Sequence, residues 1–231
     1  MLCANTSWAR KFECIAGVAE SLLSKGKFIT LEGSEGAGKS TNLDTLCALL
    51  SQHDIDFYRT REPGGTPMAE ALRAVMLDAW DESVDGMTEL LLMFAARNQH
   101  LNNEIKPRLA RGQWVVCDRF TDATYAYQGV ARGLPTRYVE QLEQWVQGDL
   151  RPDLTLYLDL DPAIGKRRIA GRQHDRMEQE QMAFFEDVRR GYLERAASES
   201  RIRTIDASQA LPAVQEDLAA AVAGFLAELK S

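Results

Sequence analysis

Residues 33–40 read Gly33-Ser34-Glu35-Gly36-Ala37-Gly38-Lys39-Ser40. This is the G-x-x-x-x-G-K-[ST] pattern, and it constrains the fold because it works only between a strand and a helix. The flanks agree. Phe28-Ile29-Thr30-Leu31-Glu32 is a short β-rich run, and Thr41 to Leu50 carries a helical pattern. The glycines let backbone N–H groups turn inward around phosphate oxygens, and the helix N-terminus adds partial positive charge. Gly33, Ser34, Glu35, Gly36, Ala37, Gly38, Lys39, Ser40 and Thr41 form the expected nucleotide cradle. Lys39 is placed to reach the β- and γ-phosphates, and the Ser40 hydroxyl to help hold Mg2+.

Short β-like runs alternate with helical stretches over the rest of the chain. Strands are expected at 27–32, 55–60, 113–118, 154–160 and 202–206. Helices are expected near 39–52, 67–78, 87–111, 136–147, 162–171, 176–197 and 211–229. Trp114-Val115-Val116-Cys117 and Leu154-Thr155-Leu156-Tyr157-Leu158 are near-continuous apolar runs, as in strands buried on both faces. The alternation predicts an α/β fold with a parallel sheet. Ligands of such sheets gather at the carboxyl ends of the strands. The P-loop, Thr60-Arg61-Glu62-Pro63-Gly64-Gly65-Thr66 and Asp118-Arg119-Phe120 are therefore expected to converge.

A length of 231 residues suits one large domain, and no linker or repeat divides it. The formal charge of −7 argues against a nucleic-acid binder, so local Arg and Lys must hold any phosphate ligand. Cys3, Cys14, Cys47 and Cys117 show no metal or redox spacing and read as reduced thiols in a cytoplasmic protein. No apolar run is long enough to span a membrane. Met1 to Lys25 lacks the pattern of a signal peptide, although Ile15 to Leu23 suits an amphipathic helix. Residues 1–24 are read as a dispensable extension and 25–231 as the functional domain.

Four groups of residues carry chemistry beyond the P-loop. Asp118 at a strand end suits a Mg2+-bound water or Lys39, and Arg119 beside it suits a phosphate. Arg73, on the helix after Pro67, is a second phosphate candidate. Gly171-Arg172-Gln173-His174-Asp175-Arg176 follows Lys166-Arg167-Arg168 and suits a lid, at about 165–178, that brings Arg172 or Arg176 onto a transferring phosphoryl group. Phe94 and Arg97, with Thr124, Tyr127 and Gln128, offer an aromatic plane and polar groups to a nucleobase.

Arg61-Glu62-Pro63-Gly64-Gly65-Thr66, Asp118-Arg119-Phe120, Tyr127-Gln128-Gly129 and the lid, in that order, resemble the bacterial thymidylate kinases over about residues 27–230. The resemblance implies the three-layer nucleoside monophosphate kinase fold, a five-stranded parallel sheet flanked by helices with a short lid. It implies transfer of the ATP γ-phosphoryl group to dTMP with Mg2+, by a homodimer. By similarity, Glu35 lies near the sugar 3′-hydroxyl, Arg73 and Arg119 hold the dTMP phosphate, and Arg97, Thr124 and Gln128 address the thymine edge. Arg61 and Glu62 belong to the same substrate set. Tyr127 crowds the sugar 2′ position. Gly36 stands where eukaryotic relatives carry an Arg, so the resemblance assigns the catalytic arginine to the lid. Met93 occupies the position four before Arg97, where many relatives carry the aromatic that is Phe94 here.

Other nucleotide or nucleoside kinases share much of this pattern, and the choice of acceptor separates them. A P-loop switch is a rival of a different class, but no Asn-Lys-x-Asp guanine signature occurs.

Overall fold

A computed structural model describes residues 25–171 and 175–230. The proposed N-terminal extension, Cys3, Cys14 and Arg172 lie outside the described residues. Five parallel strands form one sheet: β1 (Phe28–Gly33), β2 (Phe57–Arg61), β3 (Trp114–Asp118), β4 (Leu154–Asp159) and β5 (Ile202–Asp206), in the order β2-β3-β1-β4-β5. The expected strands agree to within two residues at each end.

The period of two along β1 divides its side chains between two environments. Ile29 and Leu31 join Val116, Leu154, Leu156 and Leu158 in one core cluster. That cluster is closed by α1 (Lys39–Gln52) through Leu43, Leu46 and Leu50, and by the C-terminal helix Leu211–Glu228 through Val214, Leu218 and Val222. Phe28, Thr30 and Glu32 point to the opposite face, where Phe28 packs with Val115, Cys117 and Phe120. Two of these three are polar, yet both are fully buried. Thr30 Oγ1 meets Thr155 Oγ1 at 2.8 Å, so the hydroxyls satisfy each other across adjacent strands.

The two helices that directly follow β2 begin at side-chain caps. In α2 (Pro67–Leu77) Thr66 accepts from the Ala69 N–H and Pro67 takes the first turn. In α3 (Gly86–His100) Asp85 accepts from the Met87 N–H. The expected helix 87–111 runs as α3, a π-helical segment Leu101–Ile105 and α4 (Lys106–Ala110). After β3 the chain forms α5 (Thr121–Thr124) and a second π-helical segment, Tyr125–Ala131, for which the sequence had suggested no element. Beyond it come α6 (Thr136–Gln147), α7 (Pro162–Ile169), α8 (Met182–Ser198) and α9 (Leu211–Glu228). Helix α8 starts six residues later than expected, because residues 175–181 form turns and a bend rather than a continuous helix. No helix among the described residues is long and apolar enough to cross a membrane.

Leu156 is fully buried at the centre of the sheet, in register with Leu31. Leu156→Ala is expected to cost about 2–5 kcal/mol by leaving a cavity, measured as the shift in urea unfolding at unchanged m-value.

Candidate active site

The connection from β1 runs towards β2 and that from β3 crosses to β4, so these neighbouring strands send the chain in opposite directions and a crevice opens at their carboxyl ends. A cleft of about 660 Å³ occupies that position. The three expected segments meet in it: Glu35 to Thr41 of the P-loop, Arg61-Glu62-Pro63 after β2, and Asp118-Arg119 after β3. Arg73 of α2, Tyr127 and Gln128 also line it.

The loop before α1 is tightly packed. Gly36 has φ 76° and Gly38 has φ 84°, a backbone region that favours glycine. A Cβ on Gly36 would overlap the backbone of Gly165 in α7, and one on Gly165 would overlap the Glu35 carbonyl oxygen. The P-loop is thereby seated directly on α7. Lys39 Nζ donates to the carbonyl oxygens of Gly33 and Ser34 at 3.0 and 3.1 Å. Burial, and then the Arg119 guanidinium, push Lys39 down to about 8. Burial, and then Arg61, lower Arg73 as well. Burial and neighbouring guanidinium groups thus disfavour charge on Lys39 and Arg73, a cost that an anion in the cleft relieves.

Arg119 is one of two non-glycine residues with positive φ among the described residues, at 68°. Its guanidinium pairs with Glu35 and lies 4.9 Å from the centre of the Tyr127 ring. The Tyr127 hydroxyl donates to the Glu35 carboxylate at 2.8 Å. Burial opposes charge on Glu35, but Arg119, Lys39 and Tyr127 outweigh it and hold the carboxyl below its ordinary range.

Beneath this trio lies Glu32, which the sequence reading missed. It accepts from the Phe120 N–H at 2.7 Å and from the Tyr192 hydroxyl of α8 at 2.8 Å, so it braces the Asp118-Arg119-Phe120 turn. Its position on a strand among apolar residues was the available signal. Burial, with Asp122 adding to it, pushes Glu32 up to about 8.

At the inner end of the cleft Arg97 is almost wholly buried. Its Nε donates to Glu62 at 2.7 Å and its Nη2 to Thr124 at 3.0 Å. Glu62 also pairs with His100, whose other ring nitrogen meets Thr60. Arg97 and Thr124 sit within the wall rather than on its lining, while Gln128 lines the cleft. Phe94 departs from expectation: it turns into a core cluster with Leu90, Tyr125 and Val139, and Met93 lines the cleft instead. The cause is helical phase, since adjacent residues of α3 differ by about 100° in direction.

The lid residues also divide. Arg168 lines the cleft and donates to the Gly36 carbonyl oxygen at 3.2 Å. Arg176, expected to point at a phosphoryl group, does not line the cleft. It is held by the Met76 carbonyl oxygen at 2.9 Å and by Glu89 at 2.8 Å. Asp159 and Asp161, at the end of β4, have structural partners: Arg189 on α8 and the Ala163 N–H.

Among the described residues no three His, Cys, Asp or Glu side chains cluster to hold a metal alone. Mg2+ in phosphoryl-transfer sites commonly takes one or two protein groups plus phosphate oxygens. The residues present fit that pattern, because Ser40 opens α1 in the cleft and Asp118 Oδ1 is buried there without a protein hydrogen bond.

The thymidylate kinase family model matches residues 31–218. A thymidylate kinase of Pseudomonas putida (strain F1) is 58% identical over 203 residues, 87% of this chain and 97% of the relative. One of Pseudomonas syringae pv. syringae (strain B728a) is 59% identical over 192 residues, covering 82% and 91% of the two chains. That of Teredinibacter turnerae is 53% identical over 203 residues, covering 87% and 99%. A P-loop nucleoside monophosphate kinase is thus the class that fold and cleft define, and the chain belongs to the thymidylate kinase family within it. Its reaction is the phosphorylation of dTMP to dTDP.

Glu32 links this site to stability. Its folded value near 8 lies above the ordinary 4.5, so the folded state binds the extra proton between those limits. Stability from this group is full below about pH 4.5 and is lost as pH rises towards about 8. Glu32→Gln, which mimics the protonated form, is expected to raise the melting temperature by about 5 °C at pH 8.5 and to change it little at pH 4.5. Melts of both proteins across that range check the prediction, and a gap that widens towards low pH would contradict it.

Proposed function

We propose that residues 25–231 carry a cytoplasmic, homodimeric enzyme that uses ATP and Mg2+ to phosphorylate dTMP, with the site roles assigned below. The observation that carries this reading is the convergence of Lys39, Arg73 and Arg119 on one cleft whose far end holds Arg97, Thr124 and Gln128. Basic floor and polar inner end suit a triphosphate meeting a nucleoside monophosphate.

A phosphate oxygen of dTMP attacks the γ-phosphorus as the bond to the β–γ bridging oxygen breaks, and ADP leaves. The acceptor is already an anion, so the protein needs no strong base. Its task is to align two polyanions. Gly33 to Thr41 cradle the donor phosphates, and Lys39 leaves the Gly33 and Ser34 carbonyls to meet them. Arg73 and Arg119 hold the acceptor phosphate, with Arg61 beside them. Glu35, freed from Arg119, accepts from the sugar 3′-hydroxyl, while Tyr127 crowds the 2′ position. Ser40 and Asp118 would hold Mg2+, which when bound neutralises charge on the phosphates. Arg97, Thr124 and Gln128 address the base. Met93 replaces Phe94 as the lining residue of α3. Arg172 is the lid arginine this reading keeps, because the Arg176 guanidinium is held by Met76 and Glu89. Exposed Met68 and Val75 on α2 and Leu91 on α3 support the dimer as an apolar surface, and sedimentation velocity tests it.

A coupled ADP-release assay with dTMP, UMP, AMP and thymidine as acceptors tests the whole reading, and equal use of AMP would overturn it. Lys39→Ala is expected to abolish transfer while the protein stays folded by circular dichroism. Arg172→Ala is expected to lower kcat by about a thousandfold with little change in either KM, since its charge partner develops in the transition state. Arg176→Ala is expected to lower the melting temperature first, and an equal kcat loss without destabilisation would reverse the assignment.

A further inference from the structure

Helix α3 turns a buried polar face towards the cleft. Glu89, Met93, Arg97 and His100 follow at spacings of three and four residues, and so lie on one side of the helix. Glu89 is fully buried. Its carboxylate receives Arg132 through Nε at 3.1 Å and Nη2 at 2.9 Å, Arg176 through Nη1 at 2.8 Å, and the Gln128 Nε2 at 3.3 Å. With two guanidinium groups on it, this carboxylate is an acceptor at every contact.

That settles which way the Gln128 amide turns. Its NH2 group faces Glu89, leaving Oε1 as the other end, and this oxygen is buried without a hydrogen-bond partner in the protein. Arg97 Nη1 is likewise buried and unpartnered, since Glu62 and Thr124 take its Nε and Nη2. An unpartnered acceptor on a lining residue and an unpartnered donor in the wall offer a base one point of each kind. Thymine and uracil match this pair, with an N3–H to donate and a C4 carbonyl to accept. Cytosine opposes it at both points, with a bare N3 and a C4 amino group.

We propose that Glu89 is a specificity-determining positioning residue, which fixes the Gln128 amide as an acceptor and so sets the preference for thymine-type over cytosine-type bases. The inference rests on the reading above that Arg97 and Gln128 face the base. A neutral amide at position 89 can donate to Gln128 Oε1, letting the Gln128 amide turn and present NH2 to the base.

The test is equilibrium binding of dTMP, dCMP and ATP by calorimetry. For Glu89→Gln the ratio of dTMP to dCMP affinity is expected to fall at least about tenfold, with ATP affinity unchanged. In a Gln128→Ala background the same substitution is expected to leave the ratio where Gln128→Ala alone puts it. An unchanged ratio in folded Glu89→Gln, or an equal fall in the Gln128→Ala background, overturns the inference. Should Glu89→Gln not fold, Glu89→Asp keeps a negative charge among Arg132 and Arg176 but draws back the oxygen that Gln128 shares with the Arg132 Nε. Its ratio is expected to fall about threefold, and an unchanged ratio overturns the inference equally. A parent protein with no preference for dTMP would instead overturn the functional reading itself, and the inference with it.

Discussion

The register of β1 between β3 and β4 is the constraint on which the cleft depends. Leu31 stands opposite Asp118 on one side and Leu156 on the other. One residue of slip would move Thr30 and Glu32 into the apolar cluster of α1 and α9, and Ile29 and Leu31 onto the polar face. Burial of Ile29 and Leu31 therefore fixes the register, and the register delivers Glu32 beneath Arg119. The P-loop leaves the same strand one residue later. Core packing and site geometry are consequences of a single alignment.

The protein is acidic overall, and its cleft is basic only locally. Each basic group there has an acid or a carbonyl to hold it before ligands arrive: Arg119 has Glu35, Lys39 has two loop carbonyls, and Arg73 has the Pro63 carbonyl. These contacts keep cations in place at close quarters, where burial first and then neighbouring guanidinium groups lower Lys39 and Arg73. On the proposed site roles, incoming phosphates would replace partners that are already present, so side chains would need little reordering. Electrostatic stabilisation works best when the charges are positioned in advance.

Buried carboxyl groups organise this arrangement from behind. Glu32 braces the turn that carries Arg119, Glu62 orients Arg97 and His100, and Glu89 gathers Arg132, Arg176 and Gln128. Each is buried, and each takes more than one hydrogen-bond partner, as a carboxyl group removed from water must. Arg176 joins the same scheme, since it connects Glu89 of α3 with the end of α2.

The sequence by itself determined the P-loop, the five strands and the meeting of three segments at the strand ends. Those features rest on local patterns: glycines before Lys39, apolar runs such as 154–158, and an Asp-Arg pair closing a strand. Tertiary structure alone decided which side chain of a helix or strand meets the cleft. Met93 rather than Phe94 lines it because one helical step changes direction by about 100°. Arg176 is drawn away by a carboxylate 87 positions earlier in the chain, and Tyr192 reaches Glu32 across 160. Sequence spacing records neighbours along the backbone, whereas partners for buried charges are chosen by packing between elements distant in the chain.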